Sequence, residues 1–478
     1  MSLPSSWHAD WSKLSAVVLG LGKSGFSVVD TLTELGCKVV AVGAQADAQL
    51  IELTEIIGAK FIASEAVTVI DELGFQPDFA LVSPGFAPDH PLVVELGARG
   101  IELCTDVDLA WRLRDKVISN QRWLGVTGTN GKTTTVELAT HMLQTAGVSA
   151  VACGNIGNPI LDAVRDPIGF EVLVVELSSF QLHYTGEISL EAAVFLNFAD
   201  DHLDWHGSEL AYYQAKSKIY QGTSKAVIFN EQDSRTLAAA EQAEVLEGCR
   251  GIGFSLFTPQ PSSIGYVEDI LVDRAMLAER AERALEITTE AEIAKIGPLS
   301  DHLRANVAAA TALARVAGVA PAAIAAAISS FKLPPHRNQW VAKIADVDYV
   351  NDSKATNAHA ANGSLSSYES IVWIVGGLFK GTDPGELISK HLPRLRAAVL
   401  IGSQTQELSQ RFAELAPELP LSVITGEDVM NTAVMKASAL AQPGDTVLLA
   451  PAAASMDQFQ NYQDRGEQFA AAVERLRR

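Results

Sequence analysis

The sequence predicts an α/β protein of three domains, each built on a mostly parallel sheet. Three observations predict it. Short apolar, β-branched runs alternate with helical spacing along all 478 residues, the pattern of successive βαβ units. Two glycine-rich turns, at 20–25 and 128–131, each stand between a strand pattern and a helix pattern. Leu333-Pro334-Pro335 then breaks the chain, and strand–helix alternation starts afresh beyond it. The length agrees, since one hydrophobic core stops growing well before 478 residues. The predicted spans are 1–121, 122–332 and 333–478.

The first segment opens with a strand at 16–20, the turn Gly20-Leu-Gly22-Lys23-Ser24-Gly25, a helix through Leu35 and a strand at 38–42. A G-x-G-x-x-G turn in a βαβ unit presents helix N–H groups to phosphate, so this part reads as Rossmann-like. A dinucleotide fold also wants an acid at the end of the second strand. That strand ends Val42-Gly43-Ala44-Gln45 and the nearest acid is Asp47, which disfavours NAD. Lys23 and Ser24 inside the turn suit a diphosphate. Strands are expected at 79–83 and 101–104, with Ser83 at a strand's C-terminal edge, where ligands sit in open α/β sheets.

The second segment carries the most informative residues. Residues 125–134 read Gly-Val-Thr-Gly-Thr-Asn-Gly-Lys-Thr-Thr, between an apolar strand and a helical run. This is the recipe for a nucleotide triphosphate: Gly128, Thr129, Asn130 and Gly131 turn the backbone around the phosphates, and Thr134 continues into the helix. Lys132 supplies a point charge and Thr133 a Mg²⁺ ligand. The common pattern G-x-x-x-x-G-K-[ST] wants glycine at 126, where this chain has valine; Gly125 lies one residue early. A P-loop ATPase-like domain is therefore expected, with strands at 171–176, 192–196 and 226–229 and helices at 133–146, 209–220 and 301–316. Glu176 ends an apolar strand where a second Mg²⁺ contact belongs. Asp200-Asp201-His202-Leu-Asp204 follows another, and reads as a place where oxygen ligands and an imidazole converge or as a polar loop. Lys216 lies on the helix beyond, where composition alone favours an exposed lysine. His302, Arg304 and Asn306 open the alanine-rich helix.

The third segment is read as Rossmann-like, with strands at 349–351, 371–375, 397–401 and 446–449 and a charged helix at 464–478. His336 and Arg337 follow the hinge; an always-charged guanidinium there can stabilise phosphoryl charge or form a salt bridge. Three strands end in the loops Asn351-Asp352-Ser353-Lys354-Ala-Thr356-Asn357, Gly376-Gly377-Leu-Phe-Lys380-Gly381 and Pro451-Ala-Ala-Ala-Ser455. Strand ends of one sheet face one crevice. Lys354, Lys380 and Ser455 there fit a small substrate with more than one carboxylate.

Composition bounds the partners. A net charge of −21 repels polyphosphate chains, so nucleic acid is excluded, and anionic substrates must be caught by local cations. Four scattered cysteines, Cys37, Cys104, Cys153 and Cys249, with no C-x-x-C pair, suit a reducing compartment such as the cytoplasm. No signal-peptide pattern opens the sequence, and its longest apolar stretch, 307–331, is interrupted by Arg315, Gly318 and Pro321, so no membrane insertion is expected.

At these residues the chain resembles the Mur ligase family, ATP-dependent amino-acid ligases of peptidoglycan synthesis, over essentially its whole length. The family uses the loop form Gly128-Thr-Asn-Gly-Lys-Thr-Thr134, which accounts for Val126. Asn351-Asp-Ser-Lys-Ala-Thr-Asn357 and Ser455-Met-Asp-Gln-Phe459 resemble the member that adds D-glutamate to UDP-N-acetylmuramoyl-L-alanine. The resemblance implies ATP and two Mg²⁺ ions as cofactors, and a monomer. It implies that Lys132 and Thr133 hold ATP and Mg²⁺ with Glu176, and that His202 and Lys216 serve the second Mg²⁺. Lys216 matches a lysine that CO₂ converts into a metal-binding carbamate. Asn155 would line the phosphates; His302 and Asn306 would lie on the adenine side; His336, Arg337 and Asp352 would reach the nucleotide from across the hinge. Lys354, Thr356, Lys380, Ser455 and Tyr462 would form the D-glutamate pocket, and Gly22, Lys23, Ser24 and Ser83 would cradle the UDP end. Gly43 stands where other members have an acid near uracil, Leu303 where an asparagine occurs, and Tyr462 where phenylalanine is common.

The implied chemistry is an alanyl carboxylate attacking the γ-phosphate, then an amine attacking the acyl phosphate, with closure at the hinge excluding water. The amine must lose a proton; His202 is a candidate base, and its metal role competes. A sibling ligase or folylpolyglutamate-synthase-like enzyme using another amino acid, a nucleotide switch, and an NAD-dependent dehydrogenase are the alternative readings.

Overall fold

A computed structural model describes residues 3–186, 188–379 and 383–477. Its strands form three sheets. The first holds β1 (Ser15–Leu19), β2 (Lys38–Gly43), β3 (Lys60–Ala63), β4 (Phe79–Val82) and β5 (Glu102–Cys104), in the order β3-β2-β1-β4-β5 with all neighbours parallel. The order reverses between β1 and β4. The loops that open a crevice at such a switch point are therefore the glycine turn after β1 and the Ser83 loop after β4.

The second sheet holds β6 (Arg122–Thr127), β7 (Ala150–Gly154), β8 (Val172–Glu176), β9 (Ala192–Phe195), β10 (Ala226–Asn230), β11 (Arg250–Phe254), β12 (Ser263–Val267), β13 (Ile270–Asp273) and β14 (Leu285–Thr289). Their order is β14-β13-β12-β11-β10-β9-β6-β8-β7. β6 lies between β8 and β9, parallel to both, so the phosphate loop, Glu176 and the loop after β9 leave the sheet side by side. β12 and β13 form an antiparallel hairpin, which resolves the stretch 254–296 whose short β patterns could not be ordered by spacing alone.

The third sheet holds β15 (Gln339–Ile344), β16 (Val347–Asn351), β17 (Ile371–Val375), β18 (Leu395–Leu400), β19 (Leu421–Val423) and β20 (Thr446–Leu449), in the order β15-β16-β20-β17-β18-β19. β16, β20 and β17 are parallel neighbours. The three loops singled out from sequence thus leave adjacent strands at one edge.

Strands β3, β7, β11, β15 and β19 are additional to those the sequence pattern predicts. β3 and β19 are short and only partly buried, so they lack the apolar signal of the central strands. β15 pairs antiparallel with β16 at the sheet edge, and only Ala342 of its residues is buried, so it lacks the apolar signal of a covered strand. The helix predicted over 301–316 is Asp301–Val316, and Pro321–Ser330 ends ahead of the two prolines. By contacts the chain divides into two compact units: Met1–Thr288 with Ala305–Ile328, and Thr289–Arg304 with Ser329–Arg478. The first two sheets build the first unit and share a buried cluster running from Trp11 and Val29 to Trp123, Leu173 and Phe195. The third sheet is covered on its two faces by separate clusters, around Phe469 and around Trp373.

Candidate active site

β6 delivers the chain to Thr127, whose Oγ1 donates to the carbonyl of Leu177 at 2.8 Å. Gly128 (φ +153°) and Gly131 (φ +82°) then turn the backbone through a region that disfavours side chains. Space demands glycine as well: a Cβ on Gly131 would stand 2.3 Å from Oδ1 of Asn306, and one on Gly128 would stand 2.9 Å from Cβ of Leu196. Gly125 is different. It belongs to β6, where a Cβ would meet Leu190 at 2.5 Å, so it serves sheet packing and not the loop. Asn197 ties the loop to β9: it donates to the carbonyl of Asn130 at 3.1 Å and accepts from its N–H at 2.9 Å. Thr129 donates to the Ala199 carbonyl at 3.1 Å and lies 3.2 Å from the Tyr212 hydroxyl. Helix Lys132–Thr145 starts directly after Gly131, so its uncapped first-turn N–H groups face the loop. Replacement of Gly131 by alanine is expected to abolish nucleotide binding and lower stability by about 2 kcal/mol, since strained φ and a steric clash add. Nucleotide titration and thermal unfolding of the variant check this.

Glu176 ends β8 and is 3% exposed. Thr133 Oγ1 donates to one of its carboxylate oxygens at 2.7 Å and the Asn155 amide donates to the other at 3.1 Å. A hydroxyl, a carboxylate and an amide on adjacent strand ends form a hard oxygen set. Such a set suits Mg²⁺, which shares one or two protein ligands with substrate phosphates. Lys132 and Lys216 both place Nζ at 2.8 Å from the carbonyl oxygen of Gly128, and Lys132 lies 3.0 Å from that of Thr129. Lys216 is buried, against the composition-based expectation of an exposed lysine. Burial pushes its amine well below the usual lysine range, and the Lys132 charge adds to this, while Asp201 and Glu176 pull the other way.

The loop 200–204 admits two readings from sequence, converging ligands or a polar loop. Among the described residues no three His, Cys, Asp or Glu side chains come together to hold a metal ion. Asp201 turns back on its neighbour, accepting from the His202 N–H at 2.9 Å and standing 3.6 Å from Nε2, and Asp204 is exposed on the one-turn helix Leu203–His206. His202 takes φ +55° and packs edge-on to Phe180, with ring centroids 4.8 Å apart. It sits beside His206, which burial pushes down to about 4 and which lies 3.0 Å from Ser179 Oγ. Asn306 lies against Gly131, as the glycine geometry requires; His302 instead packs on Gly363 and, at 5.3 Å between centroids, on His359.

At the first sheet, Gly20 takes φ +91° and Gly25 approaches so closely that a Cβ would lie 2.1 Å from the Gly20 carbonyl. Ser83 Oγ donates to that same carbonyl at 3.3 Å. Gly22 caps helix Lys23–Glu34 with no side-chain hydrogen bond, leaving Lys23 and Ser24 on an open first turn that fits a diphosphate. Gly43 is buried at the end of β2 beside Gly20.

At the third sheet, Lys354 Nζ lies 4.2 Å over the Tyr462 ring, Thr356 N donates to the Lys354 carbonyl at 2.8 Å, and Ser455 is buried. Asp352 is buried and its carboxyl is pushed up by desolvation, against the Ser364 hydroxyl, the Asn338 N–H at 3.1 Å and the charge of Arg337. His336 takes φ +65°, and its Nδ1 lies 3.0 Å from the Asn351 amide. Lys380 lies outside the described residues.

The model of the Mur ligase middle domain matches residues 126–314, and that of the Mur ligase glutamate ligase domain matches 336–453. The chain belongs to the Mur ligase family. It is 50% identical to the UDP-N-acetylmuramoylalanine–D-glutamate ligase of Leifsonia xyli subsp. xyli, covering 98% of this chain and 94% of that one. It is 42% identical to the enzyme of that name from Tropheryma whipplei, covering 99% and 98%. The fold resembles that of the UDP-N-acetylmuramate–alanine ligase MurC from Thermotoga maritima, with TM-score 0.59 at 16% identity over 97% and 99% of the two chains.

In this Mur ligase, sequence reasoning missed the residues that brace the site. Asn197 and Tyr212 hold the phosphate loop, and Asn351 and Arg465 hold the third sheet's loops. Two of them had a readable signal. Tyr212, Ala215, Lys216 and Ile219 follow helical spacing, which puts Lys216 on the apolar face. Arg465 stands four residues before Phe469 on the buried face of the last helix.

Proposed function

We propose that this Mur ligase joins the amine of D-glutamate to the alanyl carboxylate of UDP-N-acetylmuramoyl-L-alanine, driven by ATP, in peptidoglycan precursor synthesis. The observation that carries the reading is near full-length identity of 42–50% to ligases of that name, set on a loop that can hold a triphosphate. In the first step a carboxylate oxygen attacks the γ-phosphorus, the bond to ADP breaks, and an acyl phosphate forms. In the second the amine attacks the acyl carbon, loses a proton and expels phosphate.

The chain's own residues make these steps feasible. The loop N–H groups 128–133 and the Lys132 ammonium offset phosphate charge, so that two anions can approach. Thr133 and Glu176 would hold Mg²⁺, which would supply charge neutralisation for the phosphates. Burial and the Lys132 charge disfavour the protonated form of Lys216, and its amine lone pair would attack CO₂; the nitrogen would gain a carboxylate and release a proton, and the carbamate would serve a second Mg²⁺ with His202. Residues 1–121 take the UDP end through Gly22, Lys23, Ser24 and Ser83; residues 122–332 take ATP; residues 333–478 take D-glutamate through Lys354, Thr356, Lys380, Ser455 and Tyr462. The enzyme works as a cytoplasmic monomer. No helix among the described residues is long and apolar enough to cross a membrane.

Phosphate release tests the reading, with ATP, UDP-N-acetylmuramoyl-L-alanine and one amino acid at a time. D-Glutamate is expected to support turnover; L-lysine, meso-diaminopimelate and L-glutamate are expected to give on the order of 10²-fold less or lower, because a site built for paired carboxylates leaves its cations unmatched with the wrong partner. Preference for any of the other three would replace this substrate by theirs.

A further inference from the structure

The C-terminal helix Tyr462–Leu476 carries Arg465, whose side chain is fully buried. Its Nε donates to Ser353 Oγ at 3.0 Å, one terminal nitrogen donates to the Ser353 carbonyl at 2.8 Å, and the other donates to the Ala453 carbonyl at 3.1 Å. Ser353 Oγ passes the chain of bonds on to the Tyr462 carbonyl at 2.8 Å. One planar fork therefore spans the loop after β16 and the loop after β20, which leave neighbouring strands. Lys354 directly follows one anchor and Ser455 follows the other by two residues.

Packing does not explain this choice. An apolar side chain would fill the space without the cost of burying a charge. Among the described residues no carboxylate is hydrogen-bonded to the guanidinium; its hydrogen-bond partners are neutral oxygens, and Asp457 acts on it through charge alone. Burial lowers its pKa to about 10, so it stays cationic at neutral pH. The clamped backbone is also strained: Ala452 takes φ +58°, with its N–H donating to the Ala355 carbonyl at 2.9 Å as a second tie between the same loops. Strain of this kind persists only where the surroundings over-determine it, and it concentrates at ligand clamps. A guanidinium fork sets direction as well as distance, which an ammonium does not.

We propose that Arg465 is a positioning residue for D-glutamate: by holding the loop after β16 to the loop after β20, its buried guanidinium sets the spacing of Lys354 and Ser455. The inference rests on the D-glutamate reading above.

Steady-state kinetics of Arg465→Met and Arg465→Lys, with each substrate varied in turn, provide the test. Arg465→Met is expected to raise KM for D-glutamate by roughly tenfold or more, with KM for ATP and for the UDP-sugar within about twofold, and Arg465→Lys to recover part of the loss. An unchanged amino-acid KM in folded Arg465→Met, or an equal loss in all three KM values, would overturn the proposal and leave a purely structural arginine. If Arg465→Met does not fold, Ser353→Ala decides, because it removes one acceptor and leaves the cation: a selective rise in amino-acid KM supports the clamp, and no change sinks it. If the parent enzyme turns over a different amino acid, the D-glutamate reading fails on that result alone, and the same variants measured with that amino acid still test Arg465.

Discussion

Replacing Lys132 by alanine is expected to lower kcat for amide formation by on the order of 10³-fold, about 4 kcal/mol of transition-state stabilisation. The Lys132 ammonium lies on the Gly128 and Thr129 carbonyls, at the first residue of the helix whose N-terminus faces the loop. It adds a full charge to the partial charge of the helix end, in a protein whose net charge of −21 works against any polyphosphate. Phosphate release and product formation measure the loss under saturating ATP and D-glutamate. Thermal unfolding is expected to change little, because a half-exposed lysine contributes little packing. A variant that joins the two substrates within tenfold of the parent rate would refute the phosphate-loop assignment.

Lys216→Ala is expected to cost about 10²- to 10³-fold in turnover, the range seen when one fixed electrostatic partner of a reacting group is removed. The reason differs from that for Lys132. A protonated Lys216 would put a second buried cation on the carbonyl that Lys132 already shares, and both burial and that neighbour disfavour it. A neutral amine there would react with CO₂, and the carbamate would reverse the sign of the side chain. Two measurements separate this from a plain structural lysine. Depleting bicarbonate from the wild-type enzyme is expected to reduce activity, with recovery on adding it back. Labelled bicarbonate is expected to give a carbamate carbon signal that is absent from Lys216→Ala. Lowering the pH would protonate the amine and remove such a carbamate. Because the folded-state pKa is depressed, this loss sets in well below the ordinary lysine range. Full activity without bicarbonate, together with no such signal, would leave Lys216 as a hydrogen-bond donor to Gly128 only.

Much of this site is legible in the residues alone. The turn 20–25, the loop 128–134, Glu176 and the three loops of the last segment each stand directly after an apolar strand, and a strand end followed by glycine or a polar cluster is a local signal. At 200–204 the residues alone leave two readings open, converging ligands or a polar loop. Asp204 is exposed on a separate helical turn, and no three-ligand group exists among the described residues. Gly125 also resembles a displaced loop glycine, although its lack of a side chain serves Leu190. Proximity in sequence is a poor guide there because a turn of one residue changes which side chains share a face.

By itself the sequence determined the α/β class, the alternation of elements, the helix-ending prolines 334–335 and the position of each glycine turn. These follow from side-chain periodicity and from the φ values that only glycine takes easily, both properties of a few adjacent residues. Tertiary structure alone decided which strand ends are neighbours, and hence that Glu176 meets Thr133 and that the loops carrying Lys354 and Ser455 can be clamped by Arg465. It also decided that Lys216 is buried and not solvated. Strand order and burial depend on where crossover connections carry each element, which is set by packing between residues far apart in the chain.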